Sequence, residues 1–368
     1  MSAWGLAGIA GLLVLQYGIL LLLLKKNWKQ RGVKSSGFPM VSILVSARNE
    51  EEHLPHLLRS LAALDYPAEK LEILLADDQS SDRTAEISAV WVKGYPNRRL
   101  FSIRKDQVGL YQANGKANAL AILAKEAAGE FFFFTDADCE VPAAWIREGL
   151  GSFLGKTGIV IGVTQVKGGG FFGRMQELEW WNTLGIVKAV TDLGLPTTGL
   201  GNNMAISKEA YLASGGFEGI KSSITEDLEI SKSICKAGFA IHHQVSEQML
   251  VRTKAEKDWP SLLRQRKRWV TGAATLSFGW KVLLVIQGLF FPAAIALLCV
   301  DWKLGLGIWA SKAFFQGWFL RFFARKSGQK IAFFPLIFFD FYQIASLSLT
   351  ILYYFWPSKV QWKSRNYP

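Results

Sequence analysis

Residues 130–140 read EFFFFTDADCE, and this stretch decides the fold. The four phenylalanines Phe131 to Phe134 drive an extended segment into a core, so Glu130–Thr135 is expected to be a strand. Asp136 and Asp138 then stand at its carboxyl rim. In extended backbone, residues two apart face the same side, so both carboxylates are expected to approach one ion. Hard oxygen ligands with room for phosphate oxygens suit Mg²⁺ or Mn²⁺. The competing structural reading is a turn closed by Asx bonds.

Working outward, short apolar segments alternate with helical ones. Val41–Ala47 reads as a buried strand, followed by a helix over Glu50–Leu64 with Leu54, Leu57, Leu58, Leu61 and Leu64 at helical spacing. Leu71–Ala76 is a second strand, with a helix from about Asp82. Leu100–Ile103 and Ile159–Val166 read as further strands, and Lys116–Ala128 as an Ala-rich helix. The pattern implies an α/β fold, a mostly parallel sheet with helices on both faces. In such sheets function gathers at the carboxyl edge. A second acidic cluster, Asp77-Asp78 in LLADDQSSDRT, falls at the same kind of edge. Asp78, Ser80 or Ser81 could cap the next helix, but a cap does not require two adjacent carboxylates. GxGxxG does not follow the first strand and GxxxxGK[ST] is absent, which disfavours dinucleotide and P-loop sites.

The chain has 368 residues, is 50% hydrophobic with mean hydropathy +0.17, and has a net charge of +12. Cys139, Cys235 and Cys299 lack metal-ligand spacing and imply no disulfide framework. Residues 1–24 carry no charge and are long enough to cross a bilayer core. Lys25 and Lys26 follow them in place of a small-residue cleavage site, so an uncleaved anchor is expected. Lys25, Lys26, Lys29, Arg31 and Lys34 put the next block in the cytoplasm. Val282–Val300, Leu304–Leu320 (interrupted by Lys312) and Ile331 to about Trp356 (containing Asp340) complete an expectation of four spans. The expected domains are an anchor at 1–24, a cytoplasmic domain at 38–250, an interfacial segment at 251–275 and a membrane region at 276–356. Between residues 35 and 251 the net charge is −6, and the basic excess lies beside the spans, in 25–34, 252–268 and 321–330. Nucleic acid is therefore excluded as the partner, and membrane lipid is expected.

The motifs, taken in order, resemble those of membrane-bound family 2 glycosyltransferases of GT-A fold, the group of cellulose, chitin and hyaluronan synthases and ceramide glucosyltransferases. The resemblance covers roughly residues 38–275. It implies that Ala47, Arg48 and Glu50 in VSILVSARNEE border the nucleotide, with Asp77 and Asp78 at the base or ribose. Lys116 in GKANAL would lie near the donor diphosphate. TDAD matches DxD, with Asp138 the firmest metal ligand and Asp136 beside it. Asp227 in ITEDLEIS resembles the catalytic base, while Thr225 reads as a possible helix cap and Glu226 and Glu229 as first-turn carboxylates. Gln265, Arg268 and Trp269 in RQRKRW match QxxRW, and Gly199–Met204 resembles an acceptor-side loop. Trp269 would offer a flat face to a sugar, and other cations around it would hold the cytoplasmic leaflet.

One base without a second carboxylate nucleophile fits single displacement at the sugar carbon, hence inversion. The expected activity is metal-dependent transfer from a nucleotide sugar, a UDP-sugar in the first instance, to a lipid or lipid-linked saccharide. A processive polysaccharide synthase is the alternative within the class, and QxxRW does not separate the two. A non-catalytic membrane scaffold would predict loss of Asp136, Asp138 or Asp227, and all three are present.

Overall fold

The computed structural model describes residues 2–30, 37–358, 360–363 and 365–367; the expected cations Arg31 and Lys34 lie outside these. In chain order the elements begin with α1 (Ala3–Lys26), β1 (Val41–Ala47), α2 (Leu54–Ala62), β2 (Leu71–Asp77), α3 (Thr84–Val92), β3 (Arg98–Ser102), α4 (Gly115–Glu126) and β4 (Phe131–Phe134). Next come β5 (Cys139–Glu140), α5 (Trp145–Leu150), β6 (Thr157–Ile161), β7 (Val163–Lys167), α6 (Gly170–Asp192), β8 (Met204–Ser207), α7 (Lys208–Ala213), α8 (Gly216–Gly219) and α9 (Glu226–Lys236). The rest are β9 (Ala240–His243), β10 (Leu250–Lys254), α10 (Trp259–Ala273), α11 (Phe278–Val300), α12 (Trp302–Lys326), α13 (Phe333–Phe355), β11 (Val360–Trp362) and β12 (Arg365–Tyr367). They form two compact units, residues 29–167 with 190–254, and residues 1–28 with 168–189 and 255–368.

The first unit is built on a seven-stranded sheet in the order β3-β2-β1-β4-β8-β6-β9, in which β8 alone runs against its neighbours. The phenylalanine run shows why the sheet is covered on both faces. Phe133 meets the edge of Trp145 at 5.0 Å, while Phe132 and Phe134 point the other way onto Tyr211 and Phe217 at 5.4 and 5.6 Å. Leu54, Leu57, Leu58 and Leu61 of α2 close the Phe133 face, and α4 packs on β1 and β2. This is the expected GT-A-type sheet.

The expected single strand over Ile159–Val166 is instead two. β6 stays in the large sheet, whereas β7 joins a second sheet of order β5-β10-β7. Gly162 makes the break: it donates to Asn203 O at 3.1 Å, and the Asn203 side chain lies where any Cβ on residue 162 would be. Asn203, fully buried, then donates to Val163 O and Met249 O at 2.9 and 2.8 Å and accepts from Trp145 Nε1 at 2.9 Å. One side chain thus fixes β7, the turn before β10 and α5 to β8.

In the second unit, α1, α11 and α13 are long and apolar enough to cross a membrane. Four spans were expected; α12 is 25 residues long but is not among the helices apolar enough to cross on composition. Its charge is nevertheless turned inward. Lys312 is 1% exposed, donates to the Asp340 carboxylate of α13 and reaches Gln343 Oε1 at 3.1 Å. Trp309 Nε1 donates to the other Asp340 oxygen at 2.8 Å. Gln316 donates to Gln343 Oε1 at 3.1 Å and to the Tyr17 hydroxyl at 2.8 Å, and Tyr17 in turn donates to Asn182 Oδ1 of α6 at 2.8 Å. The large apolar residues exposed on α12 are Trp302, Leu306, Phe314 and Trp318. Lys267 of α10, expected at the leaflet surface, instead donates to Trp356 O and Ser358 O at 2.9 and 2.8 Å, satisfying carbonyls at the end of α13.

Candidate active site

The loops after β1 and β2 are laced together. Ala47 and Asp77 pair in register, and Asp78 N–H donates to Ala47 O at 2.9 Å. Beyond them Asn49 N–H donates to Ser80 Oγ at 3.1 Å, Ser81 N–H to Asn49 Oδ1 at 2.8 Å and Glu50 N–H to Thr84 Oγ1 at 2.8 Å. Glu51 N–H reaches Asp82 Oδ2 and Arg83 N–H reaches Glu51 Oε2, both at 3.1 Å. Asn49 and Gln79 take left-handed backbone, φ 51° and 58°, which lets both loops turn back at the strand ends. Arg48 lies across the second loop, its guanidinium donating to Asp78 O and to Gln79 O. Asp77 is buried, with Oδ2 accepting from Ser80 N–H at 3.4 Å and Oδ1 lacking a hydrogen-bond partner among the described residues.

A second group gathers around Lys116. Asn114 caps α4 by accepting from Lys116 N–H at 3.0 Å, and its amide donates to Ser223 O and Glu226 Oε2 at 2.8 and 3.3 Å. The Lys116 ammonium lies 2.6 Å from Asp136 Oδ1 and 2.9 Å from Glu226 Oε1. Burial opposes its charge, but Asp136 and Glu226 outweigh that and hold the ammonium well above the ordinary lysine range. Asp227 accepts from Gly201 N–H at 3.0 Å through Oδ2 and from Leu228 N–H at 2.9 Å through Oδ1. A Cβ on residue 201 would sit 3.2 Å from Lys116 Nζ and 3.5 Å from Asp227 Oδ2, so glycine keeps this corner open. Burial, then the Glu226 charge, pushes the Asp227 carboxyl up to about 6, against the pull of Gly201 N–H, Lys116 and Leu228 N–H. Thr225 occupies the cap position of α9, but its side chain does not cap the helix. Glu226 is buried and ion-paired to Lys116.

The DxD carboxylates do not share one direction. Cys139 N–H donates to Asp136 O at 3.1 Å and closes a turn, so the extended geometry expected for residues 136–138 is not what forms. Asp136 meets Lys116, whereas Asp138 Oδ2 meets Lys254 at 3.3 Å, with Glu50 Oε2 3.6 Å from the same ammonium. Among the described residues no three Asp, Glu, His or Cys side chains converge on an ion position. The donor set still fits a divalent ion of the Mg²⁺ type, which takes one or two carboxylates and completes its shell with phosphate oxygens and water.

Gln265, Arg268 and Trp269 belong to the other unit, on α10. Gln265 donates to Glu256 Oε1 at 3.1 Å. One face of Trp269 is covered by the Arg266 guanidinium at 4.4 Å, and Trp180 meets it edge-on at 5.5 Å. Lys254 and Asn203 were not singled out in the sequence. Their partners are distant in the chain, and only Asn203, inside GLGNNM, stood near a motif.

A mostly parallel sheet with acidic loops at its carboxyl edge, in a chain with three helices long and apolar enough to cross a membrane, is a GT-A-like glycosyltransferase fold. The chain belongs to glycosyl transferase family 21, which matches residues 8–368. The sequence motifs pointed to family 2; the match is to family 21, within a family 2-like fold. It is similar to a beta-monoglucosyldiacylglycerol synthase of Synechocystis sp., 26% identical over 72% of this chain and 58% of the relative. It is also similar to a poly-beta-1,6-N-acetyl-D-glucosamine synthase of Staphylococcus aureus, 26% identical over 63% and 54%. The chain therefore spans little more than half the length of these relatives. A mannosyltransferase structure from Pyrobaculum calidifontis, in complex with GDP-Man and Mn²⁺, shares the fold over 96% of this chain and 100% of that one, with TM-score 0.66 and 18% identity.

Proposed function

We propose that this protein is an inverting, divalent-dependent glycosyltransferase that moves a sugar from a nucleoside-diphosphate donor, a UDP-sugar in the first instance, to a lipid or lipid-linked saccharide. The observation that carries the reading is Asp227: a carboxylate fixed by Gly201 N–H, raised to about 6, beside Lys116 and the DxD turn. A base of that pKa takes a proton near neutral pH without being so basic that it is already protonated. The acceptor oxygen attacks the anomeric carbon, the bond to the diphosphate oxygen breaks, and the acceptor proton passes to Asp227. Glu226 is committed to Lys116 and Asn114, so Asp227 is the carboxylate available for this step and no covalent sugar ester is needed.

When bound, a divalent ion at Asp138, with Asp136 beside it, supplies positive charge to the departing diphosphate. Lys116 adds a second positive charge at the same edge. The Asp77 oxygen lacking a partner is a buried acceptor suited to a base that presents a ring N–H, as uracil does. Arg48 and Glu50 would border that nucleotide.

For membrane placement the support is that Lys312 and Gln316 of α12 are turned inward while Leu306, Phe314 and Trp318 face out, as a fourth span requires. Lys25, Lys26 and Lys29 at one end of α1, with Arg325 and Lys326 in the last turn of α12 and Lys330 beyond it, favour a cytoplasmic catalytic unit. Diacylglycerol-type acceptors are supported by the similarity to a glycolipid synthase, at 26% identity.

The test is release of nucleoside diphosphate by lipid-embedded protein from a panel of UDP- and GDP-sugars, with a membrane lipid extract as acceptor and product length measured. Transfer should need Mg²⁺ or Mn²⁺. Asp138→Asn and Asp227→Asn should each lower turnover about 10³-fold or more, but only Asp138→Asn should weaken metal-dependent donor binding. Full turnover in Asp227→Asn removes it from the base role, and a ladder of long products replaces single transfer with polymerisation.

A further inference from the structure

Lys254 falls in no motif, yet its ammonium stands 3.3 Å from Asp138 Oδ2 and 3.6 Å from Glu50 Oε2. The small sheet delivers it there: Lys254 is the last residue of β10, and Thr253 before it pairs with Cys139, the residue after Asp138. Its side chain is 34% exposed and that of Asp138 20%. An ion pair partly exposed to water exchanges partners at less cost than a buried one. Lys116 differs, being 14% exposed and gripped by Asp136 and Glu226 at 2.6 and 2.9 Å.

We propose that Lys254 is a positioning residue that competes with the divalent ion for Asp138 and is drawn off by the donor diphosphate, so that metal and nucleotide bind cooperatively. The inference rests on the reading of Asp138 as a metal ligand. An ammonium on a carboxylate oxygen lowers the negative potential a second cation meets there, and the two cations repel at this range. A diphosphate brings negative charge of its own and gives the ammonium another partner. The ion then gains Asp138 and phosphate oxygens together, and by linkage each ligand tightens the other by the same factor.

The experiment is Mn²⁺ binding followed by the electron paramagnetic resonance of free Mn²⁺, on the full chain in detergent, with and without UDP or GDP. Lys254→Met should bind Mn²⁺ alone on the order of ten-fold more tightly than the unchanged protein, and its further gain on adding nucleotide should shrink. Lys254→Arg, which keeps the charge, should keep both the weak Mn²⁺ binding and the large gain. Lys167→Met removes a charge beside Lys254 in register, where the ammonium is paired to Glu140, and should have a smaller effect. Equal tightening in Lys167→Met would reduce the effect to a general field and overturn the proposal. Unchanged or weaker Mn²⁺ binding in Lys254→Met, while Asp138→Asn abolishes it, overturns this inference alone. Unaltered binding in Asp138→Asn sinks the metal-ligand reading as well.

Discussion

Two lysine–aspartate pairs in this chain share the same chemistry in opposite settings. Lys254–Asp138, at the edge of the large sheet, is partly exposed to water. Lys312–Asp340, between α12 and α13, is closed, with both side chains almost fully buried and ringed by Trp309, Gln316 and Gln343. The open pair can part and re-form, because water compensates either partner. The closed pair cannot, since each charge is tolerated only in the presence of the other. The first arrangement serves exchange and the second serves architecture.

Breaking the closed pair should give the largest effect. Lys312→Met leaves the Asp340 charge buried without its cation, and about 3–5 kcal/mol of stability should go. Lys312→Met with Asp340→Leu should recover most of that loss, as read from thermal unfolding in detergent. A mild effect of the single change would mean that the pair is wetter than its packing indicates. The catalytic unit has its own closed element in Asn203. Asn203→Ala strands Trp145 Nε1, Val163 O and Met249 O, and should cost about 3 kcal/mol. Turnover should fall with it, because Gly201 N–H, two residues earlier, holds Asp227.

The smallest effect is the sharpest in form. The Asp227 carboxyl is pushed up to about 6, chiefly by burial, and must be ionised to take a proton. Turnover should therefore fall about ten-fold per pH unit below about 6, and Asp227→Asn should flatten that limb. Stability moves the other way. A carboxyl whose folded pKa lies above its unfolded one binds its proton more tightly in the folded chain. The stabilisation is full below the ordinary aspartate range and is lost as pH rises through about 6. Unfolding temperatures measured across that window should show a fall on raising pH that Asp227→Asn lacks.

Much of this was legible in the sequence wherever the determinant is local. Phe131–Phe134 had to be a two-faced strand, and Val41–Ala47 and Leu71–Ala76 fell into place beside it with their motif loops at one edge. The split at Gly162 was not legible, because the cause is Asn203, 41 positions away in sequence. Lys254 looked like one more cation in a basic stretch, and only the pairing of β10 with β5 brings it to Asp138. The turn at Asp136–Cys139 is closed by backbone, not by the Asx bonds of the competing reading, and the pattern of residues alone did not decide it. In the membrane unit the sequence identified Lys312 as a difficulty and Asp340 as another, but not that each answers the other. α6 was missed altogether, its Glu179 and Asn182 being anchored by Arg266 and Tyr17 from remote helices.

The lacing of the loops after β1 and β2 has a consequence for anyone who would alter donor choice. Asn49, Glu50 and Glu51 find partners in Ser80, Ser81, Asp82, Arg83 and Thr84, so each loop holds its shape partly through the other. A graft of one loop from a relative would arrive without the other half of its hydrogen bonds. The two segments, 31 residues apart at Asn49 and Ser80, behave as one module, and moving both at once keeps the bonds that a single graft would lose.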